Sequence, residues 1–346
     1  MFFFWRKPKF KISQFVGGWK PSTPDRRDYS WNKIFGGSTP DIEDLPNEFY
    51  LPKKPRLPIQ HNIPACVLCS FAFAQQYNEE IEHFQKVDLS ALFGWLLTPH
   101  TPRGTDYRSA AKTVKDKGLC LHKLLPDNFH KGKPHTENKN LLTNKVSTEA
   151  LRHRIKGYSF LDVFDLDSIK RAIHRGHPVL IAVGGNNYNW NNAIIEKNGG
   201  VVKPGKIDWY HSVCATGWKG NRMYFANWWG KKWAKDGYSY LDESYRLSAA
   251  MSIEDVTRGI RENIVKAPNL PAVYWIVNGI KHAFISAKVY ADFFPKRDMD
   301  GNILRDNNGD PIPQWGHVKE IPEPKLNSIP RGVDLTVQNI GTIVAQ

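Results

Sequence analysis

The sequence predicts an α+β fold of two lobes, a helical first half and a strand-rich second half, with a site made from both in the cleft between them. Three observations predict it. The stretch from Ala65 to about Lys86 contains neither Pro nor Gly and opens just after Pro64, as a long helix does. The run His177-Pro-Val-Leu-Ile-Ala-Val183 is apolar and β-branched, and Ser212–Thr216 and Met223–Ala226 follow as shorter strands. With 346 residues, 41% hydrophobic and 12% aromatic, the chain can bury one large or two ordinary cores.

Taken in order, residues 1–45 are rich in Pro, Gly, Lys and Asp around Pro24-Asp-Arg-Arg-Asp-Tyr29 and read as an extended leader. The helical lobe is expected over 46–150. It holds the helix from Ala65, a second helix capped by Asp88-Leu-Ser90 and running through Phe93 to Leu97, and a third over Asp106–Lys117 stopped by Gly118. A polar loop follows over 127–147. The β-rich lobe is expected over 151–259, with a short helix over Asp167–Arg175 ended by Gly176, then the strands, and a turn region from Gly217 to Gly220. The C-terminal extension is 260–346. There Ile276, Ile280, Ala283, Phe284, Ala287, Ala291 and Phe294 fall on one face of an expected helix, Asp298–Asn302 and Asp306–Asp310 read as turns, and the tail from Pro322 reads as extended. On this reading 260–294 packs on the lobes and the tail is dispensable.

Composition narrows the function without choosing it. The net charge of +14, from 48 Lys and Arg against 34 Asp and Glu, favours an anionic partner such as nucleic acid, an acidic polymer or an acidic protein surface. The alternative is a solvated basic surface, since no long basic block interleaved with aromatics occurs. The N-terminal apolar run is shorter than the roughly 7–15 residues of a signal-peptide core, and its charges follow it. No apolar run of about 18 residues predicts a membrane span, and a cytoplasmic or virion-associated location is expected. The cysteines, Cys66, Cys69, Cys120 and Cys214, are too few and scattered for a disulfide framework. The two Asp-rich turns lack the later acidic residue of a calcium loop, so neither metal nor cofactor is expected.

The chemistry lies in Gln60-His-Asn-Ile-Pro-Ala-Cys66-Val, in His211, and in Asn227-Trp-Trp-Gly-Lys-Lys-Trp-Ala-Lys-Asp-Gly-Tyr238. A thiol on the first turn of a helix sits where unpaired backbone N–H groups and the helix dipole stabilise the thiolate. Amide, thiol, imidazole and a second amide, in that order, are the parts of a cysteine-nucleophile site. A Cys-x-x-Cys redox pair is the competing reading of Cys66 and Cys69, but no strand precedes it.

These motifs resemble those of the papain-like cysteine peptidases, in the short-leader form of bacterial and phage sequences. The resemblance spans roughly 20–245 and takes in Lys117-Gly-Leu-Cys120 and Gly176-His-Pro-Val179. It implies Cys66 as nucleophile, because the family's oxyanion-hole glutamine stands six positions earlier and 66 − 60 = 6. Cys69 is the alternative nucleophile. It further implies His211 as general base, Asn227 (227 − 211 = 16 positions on) as the group orienting it, Trp229 as the shield over that hydrogen bond, and Gln60 as oxyanion donor. Trp228 stands where the family has Ser, and Ala234 where it has Gly. The activity implied is endopeptidase cleavage of a polypeptide substrate through a thioester. Alternatives are an acyl transferase or deamidase using the same site, a Cys-His amidase, or an inactive papain fold serving in a phage particle or other larger assembly through 260–346.

Overall fold

A computed structural model of the chain describes residues 17–23, 25, 45–83 and 86–254, and in the C-terminal part 264–268, 270–277, 280–293, 295–296, 303–313, 318–320, 323–329, 331 and 334–336. The chain separates into two compact units, one of residues 1–80 and 87–254, the other of 81–86 and 255–346.

The first unit begins with short strand β1 (Glu48–Tyr50) and helix α1 (Cys66–His83). Helix α2 (Ala91–Leu97) is capped by Ser90, whose Oγ accepts the N–H of Phe93, and α3 (Tyr107–Lys117) by Asp106, which accepts that of Ser109. Gly118 ends α3 at φ 72° against the Ala150 carbonyl, where a Cβ would collide. The stretch expected to be a polar loop over 127–147 instead winds into short helical turns at Phe129–Lys131, Lys133–Thr136 and Lys139–Leu141, then α4 (Asn144–Ala150). Local side-chain caps from Asn138 and Thr143 supply what the polar composition conceals.

The rest of this unit is one antiparallel sheet in the order β2-β7-β3-β4-β5-β6, with β1 also on β4. The strands are β2 (Gly157–Leu161), β3 (Val179–Gly185), β4 (Trp209–Lys219), β5 (Arg222–Ala226), β6 (Tyr238–Leu241) and β7 (Leu247–Glu254), with helices α5 (Leu166–His174) and α6 (Asn192–Asn198) between them. No pairing closes β6 onto β2 among the described residues, so the barrel-like lobe is an open sheet. Strand β3 lies between β4 and β7 and is buried throughout, which explains its unbroken apolar run. The Gly217–Gly220 region is not a turn as far as Lys219. Gly217 lies within β4, at a register shift where Phe49 and Tyr50 of β1 press against its Cα. The core joins helices to sheet, with Leu68, Phe71, Phe93 and Val114 in the same cluster as Leu180, Cys214 and Trp228.

The second unit corrects two expectations. The single helix over 276–294 is replaced by strands β9 (Tyr274–Val277) and β10 (Ile280–Ala283), followed by α7 (Ala287–Phe293). Phe294 lies outside the described residues. The register pairs Val277 with Ile280, a two-residue hairpin connection in sequence, and Asn278-Gly279 is the strongest short hairpin signal. The tail is not simply extended: Glu323–Asn327 forms helix α8, Leu326 is buried with Val265 and Ala267, and Leu335 is buried with Ile264, Trp275 and Tyr290. Strands β8 (Ile264–Lys266) and β11 (Lys319–Glu320) complete a sheet in the order β10-β9-β8-β11. Asp306–Asp310 is a turn as expected, held by the Asp306 carboxylate on the N–H groups of Asn308 and Asp310, whereas Asp298–Asn302 and all of Pro24–Tyr29 but Asp25 lie outside the described residues. Among the described residues no helix is long and apolar enough to cross a membrane, and no cluster of three His, Cys, Asp or Glu is placed to hold a metal ion.

Candidate active site

Cys66 is the first residue of α1, where four helix N–H groups lack partners in the helix. The turn before it is closed by Ile63 N–H on Gln60 O (3.1 Å) and Ala65 N–H on Ile63 O (2.8 Å), with Pro64 fixing the chain between them. The sulfur is fully buried. Burial pushes the thiol up to about 12, opposed by the backbone N–H groups of Ser212, Gly18, Val67 and Cys66 itself, which face the sulfur. Cys69, one turn on, has a different setting: burial raises its thiol well above the ordinary value, and the negative charge of Asp127 raises it further.

His211 lies in β4, paired with Val183 of β3. Its Nε2 is 2.8 Å from Asn227 Oδ1. That oxygen also accepts the Trp228 N–H at 2.8 Å, which fixes the orientation of the Asn227 amide, so Nε2 must carry the hydrogen. The other ring nitrogen, Nδ1, is buried and has no hydrogen-bond partner among the described residues. Burial pushes the imidazole down to about 4, against the opposing hydrogen bond to Asn227. Three indoles enclose the ring, those of Trp229, Trp190 and Trp209, with centroids at 5.2, 5.8 and 6.1 Å. Trp190 in turn is fixed by its Nε1 on Tyr245 and by Trp233 Nε1 on its carbonyl. Trp190 and Trp229 are buried and Trp209 is half-buried, so the ring that bonds Asn227 is lined by indoles.

Gln60 is buried, its N–H on Trp228 O (3.1 Å) and its side-chain Nε2 on Ile63 O (3.2 Å). It is thereby tied both to the turn that presents Cys66 and to the residue after Asn227. All six residues singled out in the sequence, Gln60, Cys66, Cys69, His211, Asn227 and Trp229, thus lie in the first unit and are buried.

Sequence reasoning missed what covers the thiol. Residues 17–20 of the leader lie across it, with Lys20 N–H on Thr105 O and Thr105 N–H on Gly18 O, both 3.0 Å, and Trp19 N–H on Tyr210 O at 3.5 Å. The Trp19–Thr105 bridge is parallel, and the Trp19 ring packs against Tyr107 and Tyr210. Gly17 meets the Tyr210 carbonyl, Gly18 the Pro64 carbonyl and Gly104 the Gly18 carbonyl, each too closely for a Cβ. Gly17-Gly18 followed by Trp19 is a signal for close backbone approach, but nothing nearby in sequence says to what.

A family model described as papain family cysteine protease matches residues 102–257, a stretch that contains His211, Asn227 and Trp229 but not Gln60 or Cys66. No curated protein matches the chain in sequence. Among solved structures, the chain is similar to xylellain, a cysteine protease from Xylella fastidiosa, with TM-score 0.59 and 21% identity, covering 72% of this chain and 99% of that one. It is similar also to a recombinant stem bromelain precursor (TM-score 0.52, 18% identity, 71% and 78% covered) and to bromelain from Ananas comosus in complex with the E64 inhibitor (TM-score 0.50, 18% identity, 61% and 100% covered). At these identities the structures speak for the fold. Residues 102–257 thus match the papain family of cysteine proteases, and the chain has the papain-like fold of these structures.

Proposed function

We propose that this chain is an endopeptidase that cleaves polypeptides through a thioester acyl-enzyme, with Cys66 as nucleophile, His211 as base and acid, Asn227 as its orienting partner, Trp229 as shield and Gln60 as oxyanion donor. The observation that carries the reading is the buried His211 with Nε2 committed to Asn227 and Nδ1 left without a partner among the described residues, together with a helix-initial thiol whose sulfur faces the amide of Ser212, the residue after His211. An unpartnered buried nitrogen is expensive unless it has a task. Here the task is to take the Cys66 proton.

The sulfur then attacks the peptide carbonyl, whose oxygen gathers negative charge. The Cys66 N–H lies at the helix start. A primary amide carries two N–H donors, and the Gln60–Ile63 bond fixes how that amide is turned. Protonated His211 gives its proton to the departing amine, leaving the thioester, and water, activated by the same nitrogen, releases the acid. The preference for Cys66 over Cys69 rests on the amides facing the first sulfur and the carboxylate bearing on the second.

An internal cut is supported by the leader. The site already holds residues 17–20, a stretch from within a chain, with sequence continuing on both sides. The test is labelling with an irreversible epoxide thiol inhibitor and mapping the adduct by mass spectrometry. An adduct on Cys66 that is lost in His211→Ala supports the reading; an adduct on Cys69, or turnover by Cys66→Ala, sinks it.

A further inference from the structure

Four fully buried polar side chains that the proposed chemistry leaves unused meet beside the thiol: Ser70, Tyr107, Ser212 and Trp228. Ser212 Oγ is 2.7 Å from Ser70 Oγ and 2.9 Å from Tyr107 OH. Trp228 Nε1 donates to Ser70 Oγ at 3.1 Å and to Ser212 O at 2.7 Å. The indole N–H can only donate, so the bonds run in a defined sense from Trp228 into the serine pair.

Ser212 is the pivot. It follows His211 on β4, and its three polar groups are all committed around the site: N–H toward the Cys66 sulfur, C=O to Trp228, hydroxyl to Ser70 and Tyr107. Cys66 and Ser70 are four residues apart on α1 and so share one face of the helix. Trp228 follows Asn227 in the chain. The cluster therefore joins the helix of the nucleophile, the strand of the base and the residue beside the base's partner, through bonds in a dry core where geometry is most strictly held.

We propose that Ser212, with Ser70 and Tyr107, is a positioning residue for the Cys66–His211 pair, its hydroxyl clamping the His211 strand to the Cys66 helix so that its own amide stays aimed at the sulfur. The proposal rests on the reading of Cys66 and His211 given above. A clamp of this kind sets how readily the thiol gives its proton to the imidazole, whereas a merely structural cluster sets only how well the core holds together.

The experiment uses the full chain with Ser212→Ala and Tyr107→Phe, the latter removing one hydroxyl and little volume. It measures kcat and KM on a general peptide substrate, the melting temperature, and the rate of iodoacetamide alkylation of Cys66 from pH 4 to 10, read by peptide mass. The expected result is a fall in kcat of about tenfold with KM within about twofold, and an acid limb of Cys66 alkylation displaced upward by about one pH unit. If Ser212→Ala does not fold, Tyr107→Phe alone decides. Lower melting temperature with unchanged kcat and unchanged acid limb would overturn the proposal. A wild-type chain whose Cys66 is alkylated no faster than Cys69, Cys120 and Cys214 at any pH would overturn the site reading itself, and the clamp with it.

Discussion

At the scale of single residues, Cys66 and Cys69 are both buried with raised thiols, but backbone amides face the first sulfur and the Asp127 carboxylate bears on the second. Cys66→Ala should lower turnover by about 10⁴-fold or more, while Cys69→Ala, a change inside the core of α1, should retain most of it. His211→Ala should match Cys66→Ala. Asn227→Ala should cost about 10²-fold and leave measurable activity, because it removes the orientation of the imidazole and not the imidazole itself. Steady-state assays on the four purified variants, with circular dichroism to confirm folding, check this ranking; equal and total loss in His211→Ala and Asn227→Ala would contradict it. The candidate site residues could be singled out in the sequence because spacing and framing mark them: six positions from Gln60 to Cys66, sixteen from His211 to Asn227, and the tryptophan-glycine run after them. Ser70, Tyr107 and Ser212 were not, since a hydroxyl in a helix or strand gives no sign of its partner and these three meet only across more than 100 positions of sequence.

Among the elements, the leader acts on the chemistry most directly. Burial pushes the thiol up to about 12, against the Gly18 N–H of the leader among other amides, and pushes the imidazole down to about 4, so that near pH 7 each is neutral. A side chain at Gly18 would meet the Pro64 carbonyl and displace the segment. Gly18→Ala should therefore raise the alkylation rate of Cys66 at pH 7 several-fold; an unchanged or slower rate would show that the leader does not limit the site. A second element-scale expectation concerns α1 and α4. His153 sits between Glu79 on α1 and Glu149 on α4, 2.8 Å from each, and although burial alone would lower it, the two carboxylates raise it to about 9 from an ordinary 6.5. The folded chain thus binds this proton more tightly than the unfolded one. Its contribution to stability is complete below about pH 6.5 and disappears as pH rises through about 9, while at the acid end it fades as Glu149, itself held low, takes up a proton. The difference in melting temperature between wild type and His153→Gln should accordingly be large at pH 6 and small at pH 10; a difference that grows with pH would refute it. Helix starts were legible from Ser90, Asp106 and Pro64, because capping is local. The position of the leader was not, because its partners are carbonyls of distant segments.

For the molecule as a whole, the two units were unequally legible. In the first, periodicity and burial agree: β3 is apolar because both its neighbours are strands, and α1 because it lies inside the core. In the second, apolar residues at helical spacing over 276–294 compete with β-branched residues and Asn278-Gly279, and the hairpin won for β9 and β10. The tail is where this matters for experiment. Its composition suggests that it can be removed, yet Leu335 N–H bonds to Ala283 O, the Leu335 side chain closes a cluster with Trp275, Phe284 and Tyr290, and Leu326 covers Val265 and Ala267. Lys281 Nζ, in β10, is also held by the carbonyl of Leu326 at 2.6 Å. Removing 322–346 would expose both apolar clusters and leave that lysine without this acceptor, and burying each leucine contributes about 1.5–3 kcal/mol, a large share of what a unit of about 100 residues has to lose. A chain truncated after residue 321 should therefore be cut by a general protease within 264–320 much faster than the full chain, and the single change Leu335→Asp should reproduce that sensitivity. Equal resistance of the truncated and full-length chains would show instead that the second unit holds without its tail, and would return residues 322–346 to the dispensable role their composition first suggests.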